Sequence, residues 1–222
     1  SLSIKRGEFC ALLGNNGAGK SSLLNIIGGV RKNYSGNIKF LVKRLTLYNK
    51  FDLSSDIVML TQNSNETLFD DLTVLENCLL WDSRFQTMPL FVSDKLLKEY
   101  KEYLKYFHDR LPQKLKQNIL SLSGGEKQVL SVALALHKIP KLLLLDEHTS
   151  ALDIKMSASV MEITHQNIKK HNVTAIMITH NLEHALLYAS RIIVMSQGEI
   201  VCDLQNDKSR SQEMHDKIIS YF

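Results

Sequence analysis

The chain has 222 residues, of which 44% are hydrophobic and 23% charged, a balance that excludes a wholly disordered protein. No apolar run exceeds five residues, whereas a membrane-spanning helix needs about 20, so no span is predicted. Three widely separated cysteines, Cys10, Cys78 and Cys202, fit neither a disulfide framework nor a paired-cysteine metal site. They are predicted to be reduced, packed thiols of a cytosolic protein.

The predicted elements alternate between strands and helices, as in an α/β fold with a mainly parallel sheet. Short apolar runs bounded by turn residues predict strands at 8–13, 56–61, 141–146 and 173–179, and a hairpin at 191–196 and 199–204. Helical patterns occur at 20–27, 93–107, 129–137, 154–169 and 182–189, and a short terminal helix is expected within 206–222. Residues 36–49 predict a small antiparallel β piece.

One long segment, 72–137, breaks this alternation, because helical patterns and loops fill it and nothing in it resembles a strand. We interpret it as a helical insertion into the α/β core. Its part 90–117 carries seven Lys and Arg against four Asp and Glu, which is +3 of the formal +4 of the chain. A solvated helix face explains this charge better than a nucleic-acid patch, so no nucleic acid partner is predicted.

A glycine-rich loop follows the first strand and matches the phosphate-binding pattern G-x-x-x-x-G-K-[ST]. It consists of Gly14, Asn15, Asn16, Gly17, Ala18, Gly19, Lys20 and Ser21, with Ser22 next in the helix. Glycines let the backbone wrap a phosphate closely, and the helix N-terminus adds positive potential. Lys20 is therefore expected to contact the β- and γ-phosphates of a bound nucleotide, and Ser21 to hold Mg²⁺.

A second group of residues ends an apolar strand with two carboxylates, Asp146 and Glu147. This places charge at the carboxyl edge of the sheet, where α/β proteins bind ligands. Asp146 is expected to help to hold Mg²⁺, and Glu147 to orient or deprotonate an attacking water.

A third group, 122–128, contains Ser123, Gly124 and Gly125 just before a helical run, which predicts a second anion-binding helix N-terminus. One nucleotide has no evident need for two such ends from one chain. A dimer that encloses ATP between the loop of one subunit and the Ser-Gly end of the other would use both.

Together these residues resemble the ATP-binding subunit of ATP-binding-cassette (ABC) transporters over essentially the whole chain. The loop at 14–21 is similar to the family's Walker A motif, 141–147 to Walker B, and 122–128 to the LSGGQ signature. Gln62 resembles the Q-loop glutamine, 150–153 the D-loop with Asp153, and His180 the switch histidine. The six elements follow one another along the chain in the order that the family has. The resemblance implies a single nucleotide-binding domain, 1–222, with an α/β core at about 1–71 and 138–222 and a helical subdomain at about 72–137.

The resemblance also implies a mechanism and partners. Two subunits would close head to tail around ATP and Mg²⁺, so that Ser123, Gly124 and Gly125 of one face the γ-phosphate held by the other. Asp153 would communicate across this homodimer interface. Catalysis would involve Glu147, His180 and Gln62, and the metal would be held by Ser21, Gln62 and Asp146. A membrane-spanning permease, itself working with a solute-binding protein, would bind the subunit on the cytoplasmic side of the membrane.

Two features of the sequence differ from most of the family: His148 replaces the proline after Walker B, and Val129 and Leu134 replace helix arginines. Neither change removes a predicted catalytic group. The segments 146–149 and 179–181 resemble an importer subgroup associated with tryptophan- or tyrosine-type cargo. The absence of an acidic segment before the signature also favours import. The aromatic residue that stacks on adenine in the family is not visible in this sequence.

Two alternatives come from other functional classes. A soluble ABC ATPase with an assembly role, such as iron–sulphur cluster assembly, would share all these motifs. A kinase would use the phosphate loop, but it would leave 122–128 unexplained.

Overall fold

The computed structural model describes residues 1–63, 66–83, 89, 91–150 and 152–221, without the side chains of residues 50–52 and 211. In chain order the described helices and strands are β1 (Phe9–Leu13), α1 (Lys20–Ile27), β2 (Lys39–Phe40), β3 (Lys43–Arg44), α2 (Lys50–Asp56), β4 (Ile57–Leu60), α3 (Val74–Asp82), α4 (Asp94–Phe107), α5 (Gly124–His137), β5 (Leu142–Asp146), α6 (Ile154–His171), β6 (Thr174–Ile178), α7 (Leu182–Tyr188), β7 (Arg191–Ser196), β8 (Glu199–Gln205) and α8 (Ser211–Ile219).

The main sheet has six strands in the order β4-β5-β6-β1-β7-β8. Strands β5 and β6, β6 and β1, and β1 and β7 pair in parallel, whereas β7 and β8 form an antiparallel hairpin. Leu12 of β1 and Asp146 of β5 both pair with Ile178 of β6. The mainly parallel α/β sheet is thus confirmed, and three of its strands end side by side at one edge.

The parallel strands are buried along their length, as expected where helices cover both faces of a sheet. All five residues of β1 and the first four of β5 are buried. Leu12, Leu144 and Ile178 lie in one hydrophobic core cluster with Leu24 of α1, so burial of apolar area fixes α1 against the sheet.

The region between α1 and β4 contains the small antiparallel piece predicted for residues 36–49. Strands β2 and β3 pair as a two-stranded sheet in which Lys39 lies opposite Arg44. The predicted strand at 56–61 begins one residue late, at Ile57, because Asp56 is the last residue of α2. The helix α2 was not predicted, since seven residues make only two turns and show little periodicity.

Contacts divide the chain into two compact units. The first unit consists of Ser1–Met59, Pro140–Glu147 and His165–Phe222, and contains most of the sheet. The second unit consists of Leu60–Ile139 and His148–Thr164.

The second unit is built mainly from helices. The expected lack of strands in 72–137 holds for its described residues, where the only β pairing is an isolated bridge between Thr73 and Asn118. Helix α4 buries Tyr100, Leu104 and Phe107 at helical spacing, and the Tyr103 hydroxyl donates to the Ala133 carbonyl of α5 at 2.7 Å.

All three cysteines are buried as free thiols, as predicted. Burial raises the pKa of Cys10 to about 12 and also raises the pKa of Cys78, so both stay protonated at neutral pH. Within the described residues, no helix combines the length and apolar character that crossing a membrane requires.

Candidate functional site

The phosphate loop lies between β1 and α1, in the first unit, and its backbone requires glycine at its first position. Gly14 has φ 143°, and a Cβ added there would lie 2.1 Å from the Met195 carbonyl oxygen of β7. Gly17 and Gly19 also have positive φ, at 81° and 95°. The loop therefore follows a path that residues with side chains rarely adopt.

Helix α1 starts in a way that leaves its first N–H groups available. Gly19 precedes it in the left-handed conformation, and no side chain that the structure describes caps it. Uncapped N–H groups and the helix dipole make such an end an anion site.

Lys20 is 6% exposed and folds back over the loop, where its Nζ donates to the Gly14 carbonyl at 2.6 Å and to the Asn15 carbonyl at 3.0 Å. Burial lowers the pKa of Lys20, and Glu147 and Asp146 oppose this shift by stabilising the cation. The ammonium is thus held among loop carbonyls at the site of the predicted phosphate.

The metal ligands predicted for this unit lie close together. Ser21 Oγ donates to Asp146 Oδ1 at 3.3 Å, between the first turn of α1 and the end of β5. A hydroxyl and a carboxylate are hard oxygen ligands, and Mg²⁺ prefers oxygen. These residues therefore fit Mg²⁺ in their chemistry.

The two predicted catalytic residues of this unit contact each other directly. His180 Nε2 lies 2.8 Å from Glu147 Oε1, because β5 and β6 are neighbours and each residue follows the end of its strand. Glu147 has φ 50°, and its N–H donates to the Ile178 carbonyl at 3.1 Å. This strained backbone accompanies the contact of the Glu147 carboxylate with His180, the second residue after β6.

A support for the loop comes from the β7–β8 hairpin and was not predicted. Gly198, in the tight turn of that hairpin, donates its N–H to the Ala18 carbonyl at 3.1 Å. The Cβ of an alanine at position 19 would lie 3.7 Å from Gly198 Cα. The sequence shows the hairpin turn, but no local pattern places that turn against a loop about 180 residues away.

In the second unit, Ser123 caps α5 through a reciprocal capping box. Its Oγ accepts from Glu126 N at 3.2 Å, and Glu126 Oε2 accepts from Ser123 N at 2.9 Å. Ser123 and Gly124 are exposed. The S-x-x-E pattern of this box is present in the sequence and could have been recognised there.

A lysine neutralises the carboxylate of this capping box. Lys114 Nζ donates to both Glu126 oxygens, at 2.7 and 2.8 Å. Burial by itself raises the pKa of Glu126, but the hydrogen bonds from Lys114 and from Ser123 N outweigh burial and hold the pKa below its usual value. Lys114 was not predicted as part of a site. It is twelve residues away in the sequence, beyond any helix periodicity.

The remaining predicted residues of this unit are Gly125, Asp153 and Gln62. A Cβ on Gly125 would lie 2.9 Å from Met156 Cγ, so glycine lets α6 approach α5 closely. Asp153 Oδ1 accepts from Met156 N at 3.0 Å and thereby caps α6. Gln62 is exposed in a bend after β4. Ala151 of the predicted D-loop lies outside the described residues.

The structure thus groups the predicted residues in two sets. The first unit brings together the phosphate loop, Asp146, Glu147 and His180. The second unit contains Gln62, Ser123, Gly124, Gly125 and Asp153.

Comparisons with known proteins identify the family to which the sequence is similar. The family model described as "ABC transporter" matches residues 1–150. A tyrosine transport ATP-binding protein of Clostridioides difficile (strain R20291) is 35% identical over 226 residues, which cover 100% of this chain and 88% of that protein. The spermidine/putrescine import ATP-binding protein PotA of Borreliella afzelii (strain PKo) is 35% identical over 201 residues, which cover 90% of this chain and 55% of PotA.

Solved structures are similar to the chain as well. A dimeric ATP-binding cassette in a post-hydrolysis state, bound to ADP and Pi, superposes with a TM-score of 0.79 at 28% identity, covering 93% of this chain and 88% of the cassette. CbiO1 of Clostridium perfringens, part of the CbiONQ transporter complex, superposes with a TM-score of 0.79 at 27% identity, covering 98% and 82% of the two chains.

Proposed function

The chain belongs to the ABC transporter family, in which it is an ATP-binding subunit and an ATPase, and from this premise we propose that it powers solute import through a separate permease. The observation that carries the proposal is the sheet edge of the first unit. There the phosphate loop, Asp146, and the Glu147–His180 pair follow three neighbouring strands. This arrangement suits binding of a nucleotide and activation of a water beside it.

ATP binding rests on the loop and α1. The N–H groups of residues 14–22 would surround the β-phosphate, and the α1 N-terminus would add positive potential. Lys20, whose Nζ already lies against the loop carbonyls, would exchange these acceptors for the phosphate oxygens of ATP. The ammonium and a phosphate oxygen carry opposite charges, whereas a carbonyl is neutral, so this exchange is favourable.

Ser21 and Asp146 would hold Mg²⁺ together with ATP, and Gln62 would contribute an amide oxygen. The ion would neutralise charge on the phosphates during the reaction. The 3.3 Å hydrogen bond between Ser21 and Asp146 supports this assignment, because it holds both oxygens on one side of the loop.

Hydrolysis would use the Glu147–His180 pair. Glu147 would accept a hydrogen bond from the attacking water and take its proton. His180, whose Nε2 lies 2.8 Å from Glu147 Oε1, would orient the Glu147 carboxylate. His180 would also donate to the γ-phosphate, as the family resemblance implies.

A homodimer would complete each site. The exposed hydroxyl of Ser123 and the first N–H groups of α5, at Gly124 and Gly125, would bind the γ-phosphate on the partner subunit. Because Glu126 is neutralised by Lys114, the α5 N-terminus keeps its affinity for an anion. Asp153, which caps α6, would lie at the same interface.

The permease would bind on the cytoplasmic side of the membrane, with residues 72–137 as the helical subdomain that receives it within the single domain 1–222. A solute-binding protein would deliver cargo to the permease. Import is supported by the name of PotA, an import ATP-binding protein. The tyrosine transport relative and the segments 146–149 and 179–181 support an aromatic amino acid as cargo. None of the reported relatives or solved structures has an iron–sulphur assembly function in its name.

Affinity capture with a trapped variant tests the proposal. Glu147→Gln keeps the hydrogen-bonding shape but removes the base, so we expect ATP binding, loss of hydrolysis and accumulation of a dimer. Tagged Glu147→Gln protein with ATP, added to detergent-solubilised membranes, should recover a polytopic membrane protein that mass spectrometry identifies. Lys20→Ala is the matched control, since it should recover much less. Recovery of soluble proteins alone, from membranes shown to be solubilised, would contradict the transporter assignment.

A further inference from the structure

The segment 31–50, which includes the β2–β3 hairpin, is strongly basic, and we call it the basic hairpin segment. It has six Lys and Arg and no Asp or Glu, whereas the rest of the chain has 21 Lys and Arg against 23 Asp and Glu. The positive charge of the whole chain therefore depends on this segment, and the remainder is slightly acidic.

The basic side chains of this segment are open to solvent. The five that the structure describes are all exposed, and none forms an ion pair with another described residue: Arg31, Lys32, Lys39, Lys43 and Arg44. Clustered cations without acidic partners raise the local potential and attract anionic surfaces.

The tip of the hairpin is apolar and strained. Leu41 and Val42 form the turn between β2 and β3 and are 55% and 90% exposed. Leu41 has φ 54°, at a turn position that hairpins usually fill with glycine or asparagine. Neither the exposure nor the strain stabilises the isolated chain, so the two together point to a surface that is covered by something else.

The base of the hairpin holds this tip in place. The Tyr48 hydroxyl donates to the Phe40 carbonyl at 2.8 Å, and the two rings lie 5.6 Å apart. Leu45 is buried, and its N–H donates to the Ile38 carbonyl at 2.8 Å. The exposed tip is therefore presented by an ordered base.

An open depression lies in the residues just before the hairpin. Arg31 and Lys32 line it together with Asn25 and Asn33. Two cationic residues beside two asparagines are a chemically suitable environment for a phosphate group.

We propose that the basic hairpin segment binds the anionic surface of a lipid membrane. Its Lys and Arg side chains contact lipid phosphates, and Leu41 and Val42 enter the boundary between headgroups and acyl chains. A membrane is favoured over a nucleic acid because the exposed tip is aliphatic, which suits acyl chains and gives bases nothing to stack on. This contact is additional to the permease and needs no ATP hydrolysis.

Vesicle co-sedimentation tests the proposal with the full chain. Vesicles of phosphatidylcholine alone are compared with vesicles of phosphatidylcholine and phosphatidylglycerol in equal parts. We expect binding to the anionic vesicles only, and a loss of binding as salt is added, since the attraction is screened.

Two variants measure separately how much the basic side chains and the apolar tip contribute to vesicle binding. Lys43→Gln with Arg44→Gln should weaken partition by on the order of tenfold or more, because each basic contact contributes about a factor of five. Leu41→Asn with Val42→Gly installs a favourable hairpin turn, so the fold is kept while the apolar tip is lost. This second variant should also weaken binding several-fold.

Control variants remove similar side chains from other surfaces of the protein. Lys95→Gln with Lys101→Gln removes two exposed charges from α4, and Leu187→Asn removes an exposed leucine of α7. Both should bind vesicles almost as well as wild type, and all variants should keep the ATPase rate in solution. Equal binding to neutral and anionic vesicles, or equal losses in controls and hairpin variants, would overturn the proposal. Retention on polyuridylate at a salt concentration that prevents vesicle binding would also overturn it, in favour of a nucleic acid.

Discussion

The N-termini of α1 and α5 are both assigned to phosphate binding, yet they are built differently. The α1 end has a left-handed Gly19 and no described side-chain cap, and Lys20 folds over the loop before it. The α5 end is capped by its own Ser123 and Glu126, and Lys114 neutralises the added carboxylate. The α1 end thus relies on glycine geometry and on a ligand, whereas the α5 end is satisfied by its own residues.

This difference suits two different tasks. A loop that must wrap a nucleotide gains from uncapped N–H groups, since the phosphate then supplies the missing acceptors. A helix end that meets a phosphate only when two subunits close must remain stable in the open state. The capping box provides that stability and leaves the exposed Ser123 at the helix tip.

The largest expected effect comes from replacing the first glycine of each end by alanine. Gly14→Ala places a Cβ 2.1 Å from a backbone oxygen at φ 143°, so we expect a loss of more than about 2 kcal/mol in the free energy of unfolding and no measurable ATP binding. Gly124→Ala meets no described atom within 4 Å, and it should leave stability unchanged or raise it by about 0.4–1 kcal/mol. Urea unfolding and calorimetric ATP titration measure both, and equal losses in the two variants would refute the comparison.

The next effect concerns the two lysines. Lys20→Met removes charge-assisted hydrogen bonds to phosphate that together contribute about 3 kcal/mol, so ATP should bind roughly 100-fold more weakly. Lys114→Met should leave the ATP affinity of the isolated subunit unchanged, because the acceptor of the Lys114 ammonium is the Glu126 carboxylate of the α5 cap. Isothermal titration calorimetry with the monomeric subunit distinguishes the two. Undiminished affinity in Lys20→Met would disprove the role given to Lys20.

Much of the first unit could be predicted from the sequence because its signals are local. The glycine pattern marks the loop, and apolar runs that end in Asp146 or precede His180 mark strand ends. Parallel pairing then brings those ends together, as β5 and β6 do here. The contact between Gly198 and the Ala18 carbonyl could not be predicted, since it depends on how β7 pairs with β1.

In the second unit, the exposed residues at the N-terminus of α5 could be predicted from the sequence, but the lysine that pairs with their capping box could not. Ser123 and Gly124 belong to a short recognisable pattern. Lys114 reaches Glu126 from a separate turn, at a spacing that neither a helix nor a strand explains. Partners of this kind follow from tertiary packing, and only the structure identifies them.

The ion pair at the α5 end gives a smaller effect, on stability. Lys114→Met leaves Glu126, whose side chain is 8% exposed, without its cation, and we expect a loss of about 1–2 kcal/mol in the free energy of unfolding. Glu126→Gln should cost less, because Gln can still accept from Ser123 N and Lys114 is partly solvated. A double-mutant cycle by urea unfolding should give a coupling of about 1 kcal/mol. A coupling near zero would mean that the pair contributes nothing to the capped end.

The smallest effect is the pH dependence of this same cap. The pKa of Glu126 lies below its ordinary value of 4.5 in the folded chain, so the carboxylate adds stability above that ordinary value, and this contribution is lost as pH falls through the folded-state pKa. The stability difference between wild type and Glu126→Gln should therefore be constant near neutral pH and shrink in acid, by less than about 1 kcal/mol. Urea unfolding of both proteins from pH 7 downwards measures this difference. A difference that grows in acid would contradict the assignment of Glu126 as a charged cap.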